Sequence, residues 1–239
     1  MGIGVLRWRM LLIVVAVLLL WQSAKVWLNF TQERSDIEAQ LQDGQVVTLN
    51  QKDEWSKQKV RIAVYYEALC PDSRNFFVKQ LMPTYYKISS NIQVELIPYG
   101  KATTVKTENG YEFMCQHGPI ECDANIIHAC SIYTLTNTSV QLEYLSCMIK
   151  NNMEPMNIMK TCAKTMNVDY DPISTCFKED KGKELLAKYG KQTNALIPRV
   201  SFIPTVTLDG NSENQARILK NLLKEVCLLF KVMPEGCIY

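Results

Sequence analysis

Val60 to Tyr66 (VRIAVYY) is a compact run of β-branched and aromatic residues bounded by charge, which predicts one buried strand. From Asp72 to Ser89 the apolar residues Phe76, Phe77, Leu81, Met82, Tyr85 and Ile88 recur at three- and four-residue spacing, the period of a helix. Pro83 falls inside that run and predicts a kink or break, because proline has no N–H for the helix ladder. Ile92 to Tyr99 then alternates apolar Ile92, Val94 and Leu96 with polar Gln93 and Glu95, as a second strand does. Strand, helix and strand in succession make a βαβ unit, which favours a parallel pair. Asn109-Gly110 is a hairpin signal between Thr103 to Val105 and Tyr111 to Cys115.

Residues 119 to 190 show helical spacing instead, through Ile126, Ile127, Ala129, Cys130, Tyr133 and Leu135, then Leu142, Leu145, Met148 and Ile149. With no Gly, Ser or Pro linker to set this block off, it reads as an insertion of about residues 115–190 rather than a separate domain. The β pattern returns at Pro198 to Ser201 and at Pro204 to Leu208, a predicted hairpin followed by the turn Asp209-Gly210. A helix follows over Ser212 to Phe230, with Ser212 a candidate N-cap. The order β-α-β, helical insert, β-hairpin, α predicts an α/β fold: a thioredoxin-like core with a disulfide-linked helical insertion.

The N-terminus carries a different pattern. Arg7 and Arg9 precede twelve uncharged apolar residues, Met10 to Trp21, the charged and apolar regions of a secretory signal. Twelve residues at about 1.5 Å rise cover only about 18 Å of a hydrocarbon core roughly 30 Å thick. Val26, Trp27 and Leu28 extend the stretch, however, and Gln22 is a poor cleavage-site residue, so both a cleaved signal and an uncleaved anchor over 1–28 are open. Either leads into the secretory pathway, and contact with a membrane follows only if the segment is retained. Residues 29–58 read as a polar lead-in with one short strand at Val46 to Leu49, and 59–239 as the folded domain. Asn29-Phe30-Thr31 and Asn137-Thr138-Ser139 are glycosylation sequons that agree with that route.

Composition narrows the function classes. Apolar residues make up 47% and charged residues 21%, and the net charge of +2 arises from 26 basic and 24 acidic residues with no block of one sign, so nothing points to nucleic acid. All nine cysteines lie beyond the signal, and an oxidising compartment pairs most of them. Nine is odd, so at least one thiol is left over. Cys70 stands 45 residues before the next cysteine and is the natural candidate.

Cys70 sits between the first strand and its helix, followed by Pro71, which suits a first helical turn. A cysteine at a helix N-terminus is favoured as thiolate, the form that attacks disulfides. On these residues alone it is either a reactive thiol or a buried or paired structural one. Phe202-Ile203-Pro204-Thr205 adds an independent sign: it resembles the Ile-Pro-Thr of thioredoxin-like proteins, whose cis proline packs against the active-site cysteine.

The most specific stretch runs from Cys115 to Cys130. Cys115, Gln116, His117, Gly118, Glu121, Cys122, Asn125 and Cys130 fit C-Q-H-G-x-x-E-C-x-x-N-x-x-x-x-C without a gap, eight fixed positions over sixteen residues. A zinc site on Cys115, His117, Cys122 and Cys130 is the chemical rival, but the spacing lacks a C-x(2 to 4)-C knuckle. The pattern resembles the signature of the gamma-interferon-inducible lysosomal thiol reductase family, over roughly residues 58 to 237. The resemblance implies a glycosylated thioredoxin-like enzyme of the secretory and endolysosomal route, lysosomal or extracellular, that reduces disulfides of unfolding proteins at acidic pH without metal or cofactor. It makes His117 and His128 structural and places the family's C-x-x-C on Cys70-Pro71-Asp72-Ser73.

Cys70 thus matches the attacking cysteine and Ser73 departs from the resolving one. A serine hydroxyl cannot attack a mixed disulfide, though it can donate a hydrogen bond to a thiolate. The expectation is a thiol-disulfide oxidoreductase with Cys70 as nucleophile, Pro204 supporting it and Ser73 polarising it, acting as a monothiol with an external small thiol as reductant. The alternative from another class is a non-catalytic secreted binding protein that captures partners through Cys70 or a surface groove. A helical lipid-binding module, suggested by bridged amphipathic helices alone, is a third.

Overall fold

The computed structural model describes residues 18–32, 34–35, 58–108 and 110–238. The chain divides into two units, Met1–Ser56 and Lys57–Tyr239. In the first, residues 18–32 are helical and exposed, and no described helix is long and apolar enough to cross a membrane. The strand expected at Val46 to Leu49, residue Asn109 of the hairpin turn and the start of the N-terminal segment lie outside the described residues.

The second unit is built on β1 (Val60–Tyr66), whose burial leaves only Arg61 in solvent. It pairs in parallel with β2 (Ile92–Pro98), Val60 opposite Ile92 through Tyr66 opposite Pro98, as the βαβ pattern predicts. On its other edge it pairs antiparallel with β5 (Thr205–Leu208), Ile62 opposite Leu208, so among the described residues β1 is the central strand of three. A strand covered on both edges and both faces needs the near-continuous apolar run that the sequence carries there.

The crossover contains α1 (Pro71–Phe76), a wide π turn over Phe77–Leu81 and α2 (Met82–Ile88). Pro83 causes neither a break nor a lost element: the Met82 N–H bonds back five residues to the Phe77 carbonyl, and Pro83 enters the first turn of α2, where a missing N–H is tolerated. Phe76, Phe77, Leu81, Met82 and Ile88 are all buried on this segment.

An exposed hairpin, β3 (Thr103–Thr107) with β4 (Gly110–Met114), leads into α3 (Pro119–Thr134), α4 (Thr138–Met148), α5 (Pro155–Met166), α6 (Asp171–Lys178) and α7 (Asp180–Asn194). These helices enclose a second apolar cluster around Ile127, Tyr144, Met159 and Leu186. Cys130–Cys176 ties α3 to α6, Cys147–Cys162 spans the α4 to α5 connection, and Cys115–Cys122 closes the approach to α3.

Two expectations change near the C-terminus. Residues 198–201 form no strand, so the predicted hairpin is absent and β5 joins the sheet alone. Pro198 and Pro204 supply no N–H to a ladder, which leaves the segment before β5 irregular. The predicted helix over Ser212 to Phe230 is two short ones, α8 (Gln215–Lys220) and α9 (Leu222–Cys227), with Asn214 and Asn221 rather than Ser212 at the N-cap positions. Asn221 leaves the helical region and its side chain accepts the Lys224 N–H, an N-cap that restarts the chain as α9. Cys227–Cys237 fixes the end.

Candidate active site

Where β1 ends, the chain turns tightly through Glu67 to Cys70, with the Cys70 N–H directed at the Glu67 carbonyl 3.4 Å away. Cys70 is the N-cap of α1, and its carbonyl accepts the Arg74 N–H at 3.1 Å. It is the free cysteine of the nine, the other eight being paired in four bridges. The thiol is buried and faces the Ile203 carbonyl at 3.9 Å, and the Ile203–Pro204 bond is cis. Residues 133 positions apart in sequence therefore meet at one sulfur. Beside them opens a cleft of about 330 Å³ whose walls include Asp72, Phe76, Lys79, Phe202, Pro204 and Leu219.

Ser73 is fully buried. Its hydroxyl accepts the Glu67 N–H at 3.4 Å, so it braces the turn; among the described residues no hydrogen bond joins it to the Cys70 sulfur. The residue at the resolving position is thus held inside the loop.

The signature residues surround that loop from the other side. Gly118, at φ +84°, begins α3, and its carbonyl accepts the Glu121 N–H at 3.1 Å. Glu121 is fully buried; its carboxylate accepts the His117 N–H at 3.0 Å and lies 2.6 Å from His117 Nδ1. The same nitrogen is 3.6 Å from Glu67, itself only 1% exposed. Asn125 Oδ1 accepts the Ala68 N–H at 2.9 Å. Cys115 pairs with Cys122 and Cys130 with Cys176, which disposes of the zinc-thiolate reading, and Gln116 is exposed.

Glu67, His117 and Glu121 each bring an atom within 4.8 Å of the others, a spacing at which a metal ion can be held. His117 lies between the two carboxylates and links them by the contacts given above. Burial raises the Glu67 carboxyl above its ordinary value, reinforced by the Glu121 charge and opposed by the Lys101 N–H, which donates at 2.8 Å, and by His117.

His128 completes the support. It is fully buried, with Nδ1 2.9 Å from the Tyr66 hydroxyl and Nε2 3.0 Å from the Asn152 amide nitrogen, which also donates to the Ala68 carbonyl. Burial pushes its pKa down to about 3, so the ring is neutral. The Asn152 N–H donating to Nε2 puts the ring proton on Nδ1. His128 is thus a buried strut of the loop, and His117 bridges the Glu121 and Glu67 carboxylates.

Sequence reasoning missed Glu67 and Asn152, and it named Ile203 within the Ile-Pro-Thr stretch without its carbonyl contact to Cys70. Glu67 had a signal, an acid directly after an apolar strand; Asn152 and the Ile203 carbonyl act through tertiary contact alone. Asn137 is exposed and caps α4, its Oδ1 accepting the Val140 N–H at 3.1 Å, while Asn29 is exposed on the N-terminal helix.

A lone thiol at a strand-to-helix turn, facing a cis proline loop on a sheet flanked by helices, defines a thiol-disulfide oxidoreductase of the thioredoxin-like class. Solved structures share the fold: a thiol-disulfide oxidoreductase, MdbA, from Actinomyces oris superposes with a TM-score of 0.52 at 14% identity, over 74% of this chain and 83% of that one. DsbA from Chlamydia trachomatis gives 0.51 at 12% identity, over 73% and 90%. The sequence pattern of the family described as Gamma interferon inducible lysosomal thiol reductase (GILT) matches residues 61–166. The chain is 31% identical over 194 residues to the gamma-interferon-inducible lysosomal thiol reductase of Carassius auratus, covering 79% of this chain and 76% of that one. It is 30% identical over 189 residues to GILT-like protein 1 of Drosophila melanogaster, covering 72% and 76%. The chain belongs to the gamma-interferon-inducible lysosomal thiol reductase family.

Proposed function

We propose that this member of the family is a monothiol disulfide reductase or isomerase of the secretory and endolysosomal route, acting on disulfides of unfolded proteins with an external small thiol as reductant. The observation that carries the reading is the pairing of a free Cys70 beside Ile203-Pro204 with a buried Ser73 at the resolving position. The Cys70 thiolate attacks a substrate disulfide, forming a mixed disulfide and releasing one substrate thiolate. Without a second cysteine at position 73, the enzyme-substrate bond persists until a thiol from outside the loop breaks it. The apolar cleft at Phe76, Phe202 and Leu219 suits the side chains that an unfolded polypeptide exposes beside its cysteines.

Turnover of a fluorogenic disulfide peptide at acidic pH tests this. The full chain is expected to stop at a stoichiometric Cys70 mixed disulfide, visible by mass, and to turn over repeatedly only when a small thiol is added. Cys70→Ser abolishes both signals. Ser73→Cys lets a single turnover release reduced substrate with no thiol present. A Cys70 inert to alkylation, or no turnover with any thiol, overturns the enzyme reading in favour of a binding protein on the same scaffold.

A further inference from the structure

A second concavity, of about 220 Å³, borders the redox loop at Ala68, Leu69 and Pro71 and takes Arg74, Lys150 and Asn152 as polar walls. It shares no residue with the cleft beside Pro204: α1 contributes Asp72 and Phe76 to that one, and Pro71 and Arg74, on another of its faces, to this one. Its charge is one-sided. Arg74 and Lys150 line it, no acidic residue does, and neither cation is in an ion pair among the described residues.

Asn152 supplies an independent sign of a ligand. The residue is 4% exposed and its amide nitrogen serves Ala68 and His128, yet among the described residues its Oδ1 has no hydrogen-bond partner. A buried acceptor left unsatisfied is destabilising, and such groups in folded proteins nearly always have a donor. Two cations beside an orphaned acceptor match a molecule with one carboxylate and one N–H donor.

We propose that this cleft binds the external thiol of the monothiol cycle, and that the thiol is a small zwitterion. Its carboxylate pairs with Arg74 and Lys150, and its ammonium donates to Asn152 Oδ1. The proposal rests on the monothiol reading above. Displacement at a disulfide sulfur is in line, so a nucleophile at the Cys70 sulfur enters opposite the departing substrate sulfur. Leu69 and Pro71, the chain neighbours of Cys70, line this cleft, and Phe202 and Pro204 line the other, so substrate and small thiol need not compete for one cleft.

The bound thiol loses its proton to solvent and its sulfur bonds to Cys70 Sγ. The bond from Sγ to the substrate sulfur breaks with its electron pair, and the substrate thiolate takes up a proton and leaves reduced. A second small thiol then attacks the first at its sulfur, which forms the small-molecule disulfide and returns the Cys70 thiolate. Two small thiols are oxidised to one disulfide as one substrate disulfide is reduced to two thiols.

Two measurements on the full chain test it. The first is binding of S-methylcysteine, which cannot exchange, to the wild type and to Arg74→Gln/Lys150→Gln. Binding by the wild type that weakens about tenfold or more in the double variant is expected, the loss of charge-assisted hydrogen bonds. The second is release of a preformed Cys70 mixed disulfide by cysteine, cysteamine, 3-mercaptopropionate and 2-mercaptoethanol, each rate corrected for thiolate fraction and nucleophilicity. Cysteine is expected to be fastest by about tenfold over 2-mercaptoethanol, with the double variant losing that advantage and keeping its 2-mercaptoethanol rate. Corrected rates that are equal for all four thiols overturn this inference and leave the monothiol reading intact. If no mixed disulfide forms, the monothiol reading fails, and S-methylcysteine binding alone then decides whether the site exists. Absence of that binding, or binding unaltered in the double variant, overturns the site.

Discussion

Glu67 lies folded against residue 100, and the closeness of the fit makes Gly100 a requirement. Gly100 has φ +59°, and a Cβ there would stand 2.1 Å from Glu67 Cγ. An alanine would meet the left-handed backbone cost and would also push the Glu67 side chain off the Lys101 N–H it accepts. Gly118, at φ +84°, separates the two effects, because a Cβ there meets nothing within 4 Å. Gly100→Ala is therefore expected to lower stability by about 2–4 kcal/mol and Gly118→Ala by about 1 kcal/mol, read from urea unfolding of the oxidised protein. Equal losses at the two positions would show that the contact with Glu67 contributes nothing. The Gly100 effect should also accelerate alkylation of Cys70, since the Glu67 carbonyl and N–H are the contacts that hold Cys70 and Ser73 in the turn.

At the scale of elements, what the sequence made legible follows the kind of information each element needs. β1, β2 and the helical insertion were readable because burial writes a period of two, a continuous apolar run or a period of 3.6 into neighbouring residues. The C-terminal hairpin was misread because Pro198 to Ser201 has the residues of an extended segment, while pairing depends on N–H groups that Pro198 and Pro204 lack. The split of the last helix turned on Asn221, whose side-chain cap competes with helix continuation in a way periodicity does not register. In the site, Cys70 and Pro204 were legible from motif; the clamp of His128, Asn152 and Asn125 on Ala68 was not, since its members touch only after folding. The bridges give elements their own energetic ranking. By chain entropy, Cys130–Cys176, with a separation of 46 residues, contributes about 4 kcal/mol and Cys115–Cys122, with a separation of 7, about 2 kcal/mol. Paired alanine substitutions should reproduce that order in urea unfolding, with the Cys130 pair more costly still because Cys130 is fully buried. The reverse order would mean that the insertion is held together without its long bridge.

For the whole molecule, acid pH sets buried groups against one another. His128 has its pKa pushed by burial from 6.5 to about 3, so it stays neutral in the folded protein while the unfolded chain takes up a proton below about pH 6.5. The folded state thus has the full benefit of His128 above that pH and loses it as pH falls toward 3, by about 1.4 kcal/mol per unit. Glu67 acts with the opposite sign: burial raises its carboxyl, so its contribution is complete below the ordinary carboxylate range and is lost as pH rises through the raised value. At pH 5 the histidine costs about 2 kcal/mol relative to neutrality, less than the roughly 2–4 kcal/mol each bridge supplies. A disulfide-stapled scaffold can therefore keep a neutral histidine strut under its redox loop in an acidic compartment, where a fold without bridges would have less reserve. His128→Gln retains an acceptor and a donor for Tyr66 and Asn152 but cannot titrate. Its unfolding free energy between pH 6.5 and 4.5 should fall less steeply than the wild type's by close to one proton, about 1.4 kcal/mol per unit. Parallel pH profiles for the two proteins would show that His128 is protonated alike in the folded and unfolded states, and the buried neutral strut would have to be abandoned.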